Sequence, residues 1–298
     1  TDLSPVSYLE KPELEWCPPG HADVYPSLVA SGWLDRLLES GVKYAFLSNS
    51  DNLGAVLDPT LLTYFAESGA PFLMEVTRRT DADRKGGHLA RRASDGRLVL
   101  REVAQCPESD LEHFQNIERH QFFNTNNVWL NLESLREVLA ENNGVLPLPV
   151  IRNSKTVDPR DPESTSVVQL ETAMGSAIEC FEGSSAVNVP RSRFAPVKST
   201  SDLLALRSDA YEIQNDGQII LAPERNGVPP TVKLSSEYKL VDALKSLGVP
   251  SLIGADEVSI SGPLRFEDAV EVIGKVSFES SSNATIPAGV YQDESWIA

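Results

Sequence analysis

Between residues 252 and 278, apolar side chains return every six residues. Leu252, Val258, Leu264, Val270 and Val276 form one series. Ile260, Phe266, Val272 and Phe278 form a second, each two residues after its partner. Neither the helical period nor simple strand alternation produces this step. Short strands that turn inward at the same point of every hexapeptide do, so the spacing predicts a β-helix. Gly262 and Gly274 are expected at turns between its strands. A β-meander is the alternative, and two series that hold one step throughout argue against it. The segment has room for about two coils, few for such a fold to stand alone. It is therefore expected to pack on the rest of the chain or on another subunit.

Upstream, the period changes. Leu28, Val29, Trp33, Leu34, Leu37 and Leu38 recur at three- and four-residue spacings, predicting one amphipathic helix over Tyr25–Ser40 with Gly41 as its stop. A buried strand is expected at Val42–Asn49, a helix near Pro59–Ser68, and strands at Pro71–Thr77 and Arg97–Gln105. A helix near Ser109–Glu118, a strand near Phe122–Leu130, a helix near Leu132–Glu141 and a strand near Leu146–Ile151 continue the series. Asn153–Thr165 reads as a loop. A helix is expected through "SVVQLETAMGSAIECF", then a loop "NVPRSRFAPVKSTSD" and a helix at Leu203–Ser208. Helices alternating with apolar strands predict an open α/β sheet.

Composition excludes several classes of partner. The chain of 298 residues carries a formal net charge of −17. That field repels polymeric nucleic acid and anionic membrane surfaces, while a small anion can still bind where cations or backbone N–H groups gather. No apolar run approaches a membrane span. Three widely spaced cysteines, Cys17, Cys106 and Cys180, match neither a disulfide framework nor a zinc site, so a reducing, cytoplasmic compartment is expected.

In open α/β sheets, ligands collect beyond the carboxyl ends of strands. "SNSDN" (Ser48–Asn52) lies at such an end. Asp51 is suited to Mg²⁺ as a hard oxygen donor, and Asn49 to a sugar or ribose hydroxyl, although Asp and Asn also end strands for turn reasons alone. "PPGHAD" (Pro18–Asp23) precedes a helix, where Gly20 permits close backbone approach, His21 can face a phosphate or base, and Asp23 is suited to the N-cap. The adjacent glycines of "DRKGGH" fit either a hairpin turn or a backbone laid against a ligand. "FFNTNNVW" places three Asn residues in a strand, where Asn is disfavoured; a buried amide cluster there needs partners, and a sugar can provide them. Glu102 is either a hydroxyl acceptor or an ordinary solvated strand residue. Arg191, Arg193 and Lys198 gather in one loop of a very acidic chain, which favours an anion site over a plain basic loop.

The strings "PPGHADVY", "SNSDN", "EVTRRTDADRKGG", "FFNTNNVW", "QLETAMGSAI" and "NVPRSRFAPVKSTSDL" occur in this order across Pro18–Leu203. Together with the β-helix-like tail, the set resembles the eukaryotic-type UTP–glucose-1-phosphate uridylyltransferases, or UDP-glucose pyrophosphorylases. The related UDP-N-acetylhexosamine pyrophosphorylases are less similar in their motifs. The resemblance implies a GT-A-like mixed α/β nucleotidyltransferase domain with a C-terminal left-handed β-helix, divided here as residues 1–230 and 231–298. It implies the conversion of UTP and glucose 1-phosphate into UDP-glucose and pyrophosphate, with Mg²⁺. By motif, Asp51 resembles the metal-binding carboxylate and Lys198 the phosphate-contacting lysine. Gly20 and His21 fall where the nucleotide is held, and Asn49, Gly86, Glu102, Asn124 and Asn126 fall at the sugar-side contacts. Ala22 departs from the usual Gly of "GHGD".

The family's glycine-rich L-x-G-G-x-G-T loop, well upstream of the GHAD-like motif, has no counterpart in this sequence. The chain is therefore expected to be part of a longer or two-piece enzyme, with exposed sheet edges where the preceding strands would pair. The alternatives are a catalytically incomplete module that binds sugar ligands or mediates assembly through the β-helix, including homo-oligomers, and a pyrophosphorylase for another UDP-sugar.

Overall fold

The computed structural model describes residues 3–80, 83–215 and 217–298. The chain divides into two compact units, Thr1–Asn49 with Leu57–Arg191, and Ser50–Val56 with Ser192–Ala298.

The first unit is built on a strand buried on both faces. β1 is Tyr44–Leu47 and β2 is Phe72–Arg78. In β2, Phe72, Met74 and Val76 enter the main core, while Leu73 joins a smaller cluster with Phe65 and Trp129. Two covered faces explain why "PFLMEV" shows almost no polar alternation. β3 (His88–Arg91), β4 (Leu98–Arg101) and β5 (Phe122–Asn131) follow. A hairpin, β6 (Val150–Thr156) and β7 (Ser166–Thr172), precedes β8 (Ser185–Asn188). The main sheet runs β4-β3-β5-β2-β8, with β1 also on β5. β8 runs parallel to β2 and the remaining pairs are antiparallel, so the expected mixed α/β sheet is present.

Its helices are α1 (Val24–Ala30), α2 (Trp33–Glu39), α3 (Pro59–Ser68), α4 (Leu111–Phe114) and α5 (Leu132–Glu141). Asp58 caps α3 by accepting from Thr60 and Leu61 N–H, and Asn131 caps α5 through Glu133 and Ser134 N–H. Buried Leu132, Leu135 and Leu139 fix the inner face of α5.

Four local expectations are corrected. The single helix over Tyr25–Ser40 is two, because Gly32 takes φ 72° and breaks the hydrogen-bond ladder between α1 and α2. The helix near Ser109–Glu118 shrinks to α4 and a 3-10 turn at Glu108–Asp110. The strand near Leu146–Ile151 starts at Val150 and runs into the segment expected as a loop. The helix expected through Ser166–Phe181 is β7 followed by a 3-10 turn at Met174–Glu179. β7 pairs with β6 over its whole length, from Val150–Thr172 to Thr156–Ser166, so cross-strand hydrogen bonds prevail over helical spacing.

In the second unit, α6 (Thr200–Arg207) is followed by the hairpin β9 (Tyr211–Ile213) and β10 (Ile219–Leu221). Then come β11 (Thr231–Leu234), α7 (Val241–Leu247), β12 (Ser251–Ser261), β13 (Leu264–Phe266), β14 (Val270–Glu279), β15 (Ala284–Ile286), β16 (Gly289–Gln292) and β17 (Ser295–Ile297). All nine residues of the two six-residue series are buried in one core. β11, β12, β14 and β16 pair in parallel, as do β13 and β15. Val258 lies opposite Val276 and Ile260 opposite Phe278, so three hexapeptides separate stacked positions. Gly262 stands between β12 and β13 with φ 87°, as expected. Gly274 differs: it lies inside β14 with φ 67°, where the β12–β14 register shifts and the Asp293 carboxylate accepts from Lys275 N–H.

A methyl built on Gly262 would lie 1.7 Å from Ser280 O, whereas one on Gly227, φ 80°, meets nothing within 4 Å. Gly262→Ala is expected to lower unfolding stability by about 2–3 kcal/mol, through strain and the forced shift of Ser280. Gly227→Ala is expected to cost only about 1 kcal/mol for the left-handed backbone. Urea unfolding of the two variants checks the difference.

Candidate active site

In the first unit, the candidate residues converge around a bulge in β5. Glu75 pairs with Asn127 and Val76 with Asn124, leaving Thr125 and Asn126 without partners on β2. Asn126 takes φ 58°, a left-handed conformation that Asn tolerates better than most residues. Asn124 Nδ2 donates to Asn126 Oδ1 at 2.8 Å, and Asn126 N–H donates back to Asn124 Oδ1 at 2.9 Å. On the next positions, Thr125 Oγ1 donates to Glu75 O, and the Glu75 carboxylate accepts from Asn127 Nδ2 at 3.0 Å and Trp129 Nε1 at 2.9 Å. The Asn cluster thus finds its first partners within the bulge. Glu75, fully buried, was not singled out from the sequence, although a lone carboxylate in an apolar strand is a visible signal.

The glycine pair meets this bulge from β3. Gly87 O accepts from Asn124 N–H at 3.0 Å, and a methyl on Gly86 would lie 2.1 Å from the Phe123 ring. Glu102, one residue beyond β4, brings its carboxylate so close to Gly87 that a methyl there would sit 2.5 Å from Oε1. Burial pushes the Glu102 carboxyl up to about 7. Gly175, in the turn after β7, faces Asn124 from another side; a methyl there would lie 2.9 Å from Nδ2. Gly86, Glu102, Asn124 and Asn126 are therefore brought together, with Gly87, read with Gly86 as one pair in the sequence, and Gly175, which sequence reasoning left without a role, as close-approach positions. Asn49 follows the end of β1, two residues beyond the Leu47–Val128 pair.

Gly20 and His21 join the same neighbourhood through the chain after β7. Gly20 has φ 92°, and a methyl on it would strike Thr172 O at 2.4 Å. His21 Nδ1 accepts from Met174 N–H at 2.8 Å, which fixes the proton of neutral His21 on Nε2 of an exposed ring. Ala22 is buried in the main core, which accounts for a methyl where a Gly was expected. Asp23 does not cap α1: its carboxylate accepts from Ser27 Oγ instead.

Asp51 and Lys198 belong to the second unit. Lys198 Nζ donates to Asp51 Oδ2 at 2.5 Å, while Asp51 Oδ1 is buried without a hydrogen-bond partner. The pair is presented by two zipped segments. Asn52 Nδ2 donates to Arg193 O at 3.0 Å, and its Oδ1 accepts from Gly54 N–H and Ala195 N–H. Leu53 N–H and Val197 N–H add bonds to Ala195 O and Asp51 O. Ser199 caps α6 in a capping box with Asp202, which also accepts from Lys198 N–H. Of the three cations in this loop, Arg191 forks onto Asp83 and buried Arg193 donates to Val56 O, leaving Lys198 as the exposed ammonium of the set. Among the described residues no group of three His, Cys, Asp or Glu side chains is placed to hold a metal. A single carboxylate with one unpaired oxygen still fits Mg²⁺, which takes one or two carboxylates and completes its shell with water and phosphate oxygens.

The first unit thus carries a mixed sheet with close-approach glycines around an amide-rich bulge, and the second unit carries a carboxylate–lysine pair. The family model described as UTP–glucose-1-phosphate uridylyltransferase matches residues 2–272, and the chain belongs to that family. It is 40% identical over 274 residues to the UTP–glucose-1-phosphate uridylyltransferase of Solanum tuberosum, covering 91% of this chain and 56% of that protein. Against the Saccharomyces cerevisiae protein of the same name it is 41% identical, covering 91% and 54%. The chain thus spans about half the length of the curated relatives it matches. The UDP-glucose phosphorylase structure from Trypanosoma brucei superposes with a TM-score of 0.88 at 51% identity, covering 99% of this chain and 64% of that one. A UDP-glucose pyrophosphorylase from Leishmania major in complex with UDP-glucose gives 0.86 at 46% identity, covering 99% and 66%. No helix among the described residues is long and apolar enough to cross a membrane.

Two consequences are measurable. Asn52→Ala removes three side-chain bonds and is expected to destabilise the chain by about 2–4 kcal/mol, whereas Asn52→Asp keeps both acceptor bonds and loses only the donor, with a smaller loss in urea unfolding. For Glu102, the raised carboxyl means that the folded chain holds more protons than the unfolded chain between the ordinary value of 4.5 and about 7. Stability therefore falls as pH rises through that window and levels off above it. Glu102→Gln is expected to remove this slope and to raise the thermal midpoint at pH 8, as calorimetry across the window would show.

Proposed function

We propose that this chain provides the sugar side, and part of the phosphate side, of an enzyme that forms UDP-glucose and pyrophosphate from UTP and glucose 1-phosphate. One observation carries the reading: Gly86, Gly87, Glu102, Asn124 and Asn126 converge with the Gly20–His21 turn through Gly175. Paired glycines expose backbone to a ligand, while amides and a carboxylate accept and donate to hydroxyls; a flat, hydroxyl-rich ring suits that inventory. Family membership and the relatives solved with UDP-glucose support it.

In the proposed reaction an oxygen of glucose 1-phosphate attacks the α-phosphorus of UTP, the new P–O bond forms, and pyrophosphate leaves in line. The attacking phosphate oxygen is already ionised, so alignment and charge neutralisation carry the rate rather than proton abstraction. Glu102, Asn124, Asn126 and Asn49 orient the glucosyl hydroxyls, and Gly86 lets the ring lie against the main chain. Gly20 and His21 hold the nucleotide. Lys198 neutralises charge on the phosphoryl group in flight. Mg²⁺ held at Asp51 would add further neutralisation of phosphate oxygens.

The parallel six-residue strands are read as a left-handed β-helix, with residues 1–230 as the transferase portion and 231–298 as the β-helix portion that mediates self-assembly. A cytoplasmic location accords with the unpaired thiols.

The test is formation of UDP-glucose, and its reverse, followed by ³¹P NMR with UTP, glucose 1-phosphate and Mg²⁺. In the complete enzyme of which this chain is proposed to be part, Asp51→Ala and Lys198→Ala are each expected to lower kcat by ~10²-fold or more. Turnover near wild type in both variants would remove these two residues from the mechanism. An enzyme containing this chain that neither turns over nor binds UDP-glucose would overturn the whole assignment.

A further inference from the structure

The two glycines of the sugar side do not hold their own conformation. Gly86 N–H donates to Asp83 O at 2.9 Å, closing the turn that delivers the pair. The Asp83 side chain, 7% exposed, anchors that turn. Its carboxylate accepts from Thr80 N–H at 2.9 Å and Thr80 Oγ1 at 2.8 Å, then from both arms of the Arg191 guanidinium at 2.8 and 2.9 Å. Burial opposes ionisation of Asp83, but the Arg191 and Thr80 bonds together outweigh it and hold the carboxyl below its ordinary value. Arg191 arrives from a distant part of the sequence, three residues beyond the end of β8, and its guanidinium lies 5.8 Å from the Phe123 ring centroid. That same ring is the surface against which Gly86 packs. Arg191 therefore touches both the anchor of the turn and the floor under the first glycine.

From this geometry we propose that Arg191 and Asp83 form a positioning latch for the glycine pair, setting how well the chain recognises the glucosyl part of a nucleotide sugar without touching the ligand. The inference rests on the sugar-side reading above and deepens it. A fork onto a carboxylate fixes direction as well as distance, which a lysine cannot reproduce. Losing it leaves a buried charge uncompensated, and the turn must rearrange to hydrate it. Gly87 O would then lose its alignment with Asn124 N–H, and the Gly87 face would leave the Glu102 carboxylate. The damage stays local, because Arg79 binds the same turn independently: its guanidinium donates to Asp83 O at 3.1 Å and Arg84 O at 2.7 Å. The nucleotide side, Gly20 and His21, is held by Thr172 and Met174 rather than by this turn.

The measurement is a pair of calorimetric affinities, for UDP-glucose and for UDP, on the wild-type chain and on Arg191→Ala, Arg191→Lys and Asp83→Asn. Arg191→Ala is expected to weaken UDP-glucose by roughly tenfold and leave UDP unchanged. Arg191→Lys should recover part of the loss. Asp83→Asn, which can keep the Thr80 bonds and lacks the buried charge, should show the same selective loss and serves if Arg191→Ala does not fold. Unchanged UDP-glucose affinity in these variants, or equal weakening of both ligands, would overturn the latch. A wild-type chain that binds UDP-glucose no better than UDP would instead overturn the sugar-side reading itself.

Discussion

The register between β2 and β5 is the constraint on which the first unit depends. β2 is buried on both faces, so a slip of one residue would place Glu75 and Thr77 in the main core and Phe72, Met74 and Val76 outside it. Glu75 fixes the register chemically, since its two oxygens accept from Asn127 and Trp129 on the neighbouring strand. A carboxylate buried without those donors would cost several kcal/mol. Once Asn127 and Trp129 are pinned, the chain between Asn124 and Asn127 has two residues more than β2 can pair, and the excess becomes the bulge. The left-handed Asn126 and the turned Asn124 follow from that count. The amides are thus placed by a network on the opposite side of the strand from Gly175.

Close approach by glycine is the second organising principle. At Gly20, Gly86, Gly87 and Gly175 a methyl group would stand within 3 Å of another atom: the main chain of Thr172 at Gly20, and the side chains of Phe123, Glu102 and Asn124 at the other three. These contacts join segments far apart in sequence: the turn before α1 with the end of β7, the start of β3 with β5, and the turn after β7 with the bulge. Any side chain at these four positions would push the walls apart.

Much of this was legible in the residues, and the failures have a common cause. The six-residue series predicted the nine strand residues that it names in the core of the second unit, because a repeat reports its own neighbours, but not the helix and loop residues such as Leu204, Tyr238 and Leu244 that complete it. Pro59–Ser68 was legible because Asp58, the proline and Gly69 punctuate it locally. Asp51 and Lys198 were singled out by their motifs, whereas their pairing depends on the zipping of two distant segments, in which the Asn52 side chain bonds to residues 54, 193 and 195 and main-chain bonds join Leu53 to Ala195 and Val197 to Asp51. The helix expected at Ser166–Phe181 failed for the same reason in reverse. Its spacing suited a helix, while β6, absent from the expectation at that place, supplied a strand partner. What a residue does through a partner outside its own segment leaves little trace in its own neighbourhood of sequence.

For the proposed reaction, a net charge of −17 sets the terms on which triphosphates and sugar phosphates could be recognised. Long-range attraction is unavailable, and beyond about 8 Å physiological salt screens most of the repulsion as well. Recognition must therefore come from short-range groups already committed to position. The loop at Val189–Asp202 shows how three cations are divided among such tasks. Arg191 is committed to Asp83 and Arg193 to the main chain at Val56, each building a wall. Lys198 is held at the surface by a carboxylate whose second oxygen has no partner. In the proposed reaction that arrangement would have a use: the ammonium is already held in place for a phosphate, and Asp51, with one oxygen unpartnered, would be the residue to hold a divalent cation, which would supply further charge neutralisation. Charge held in position before a substrate arrives would limit the reorganisation that the proposed reaction requires.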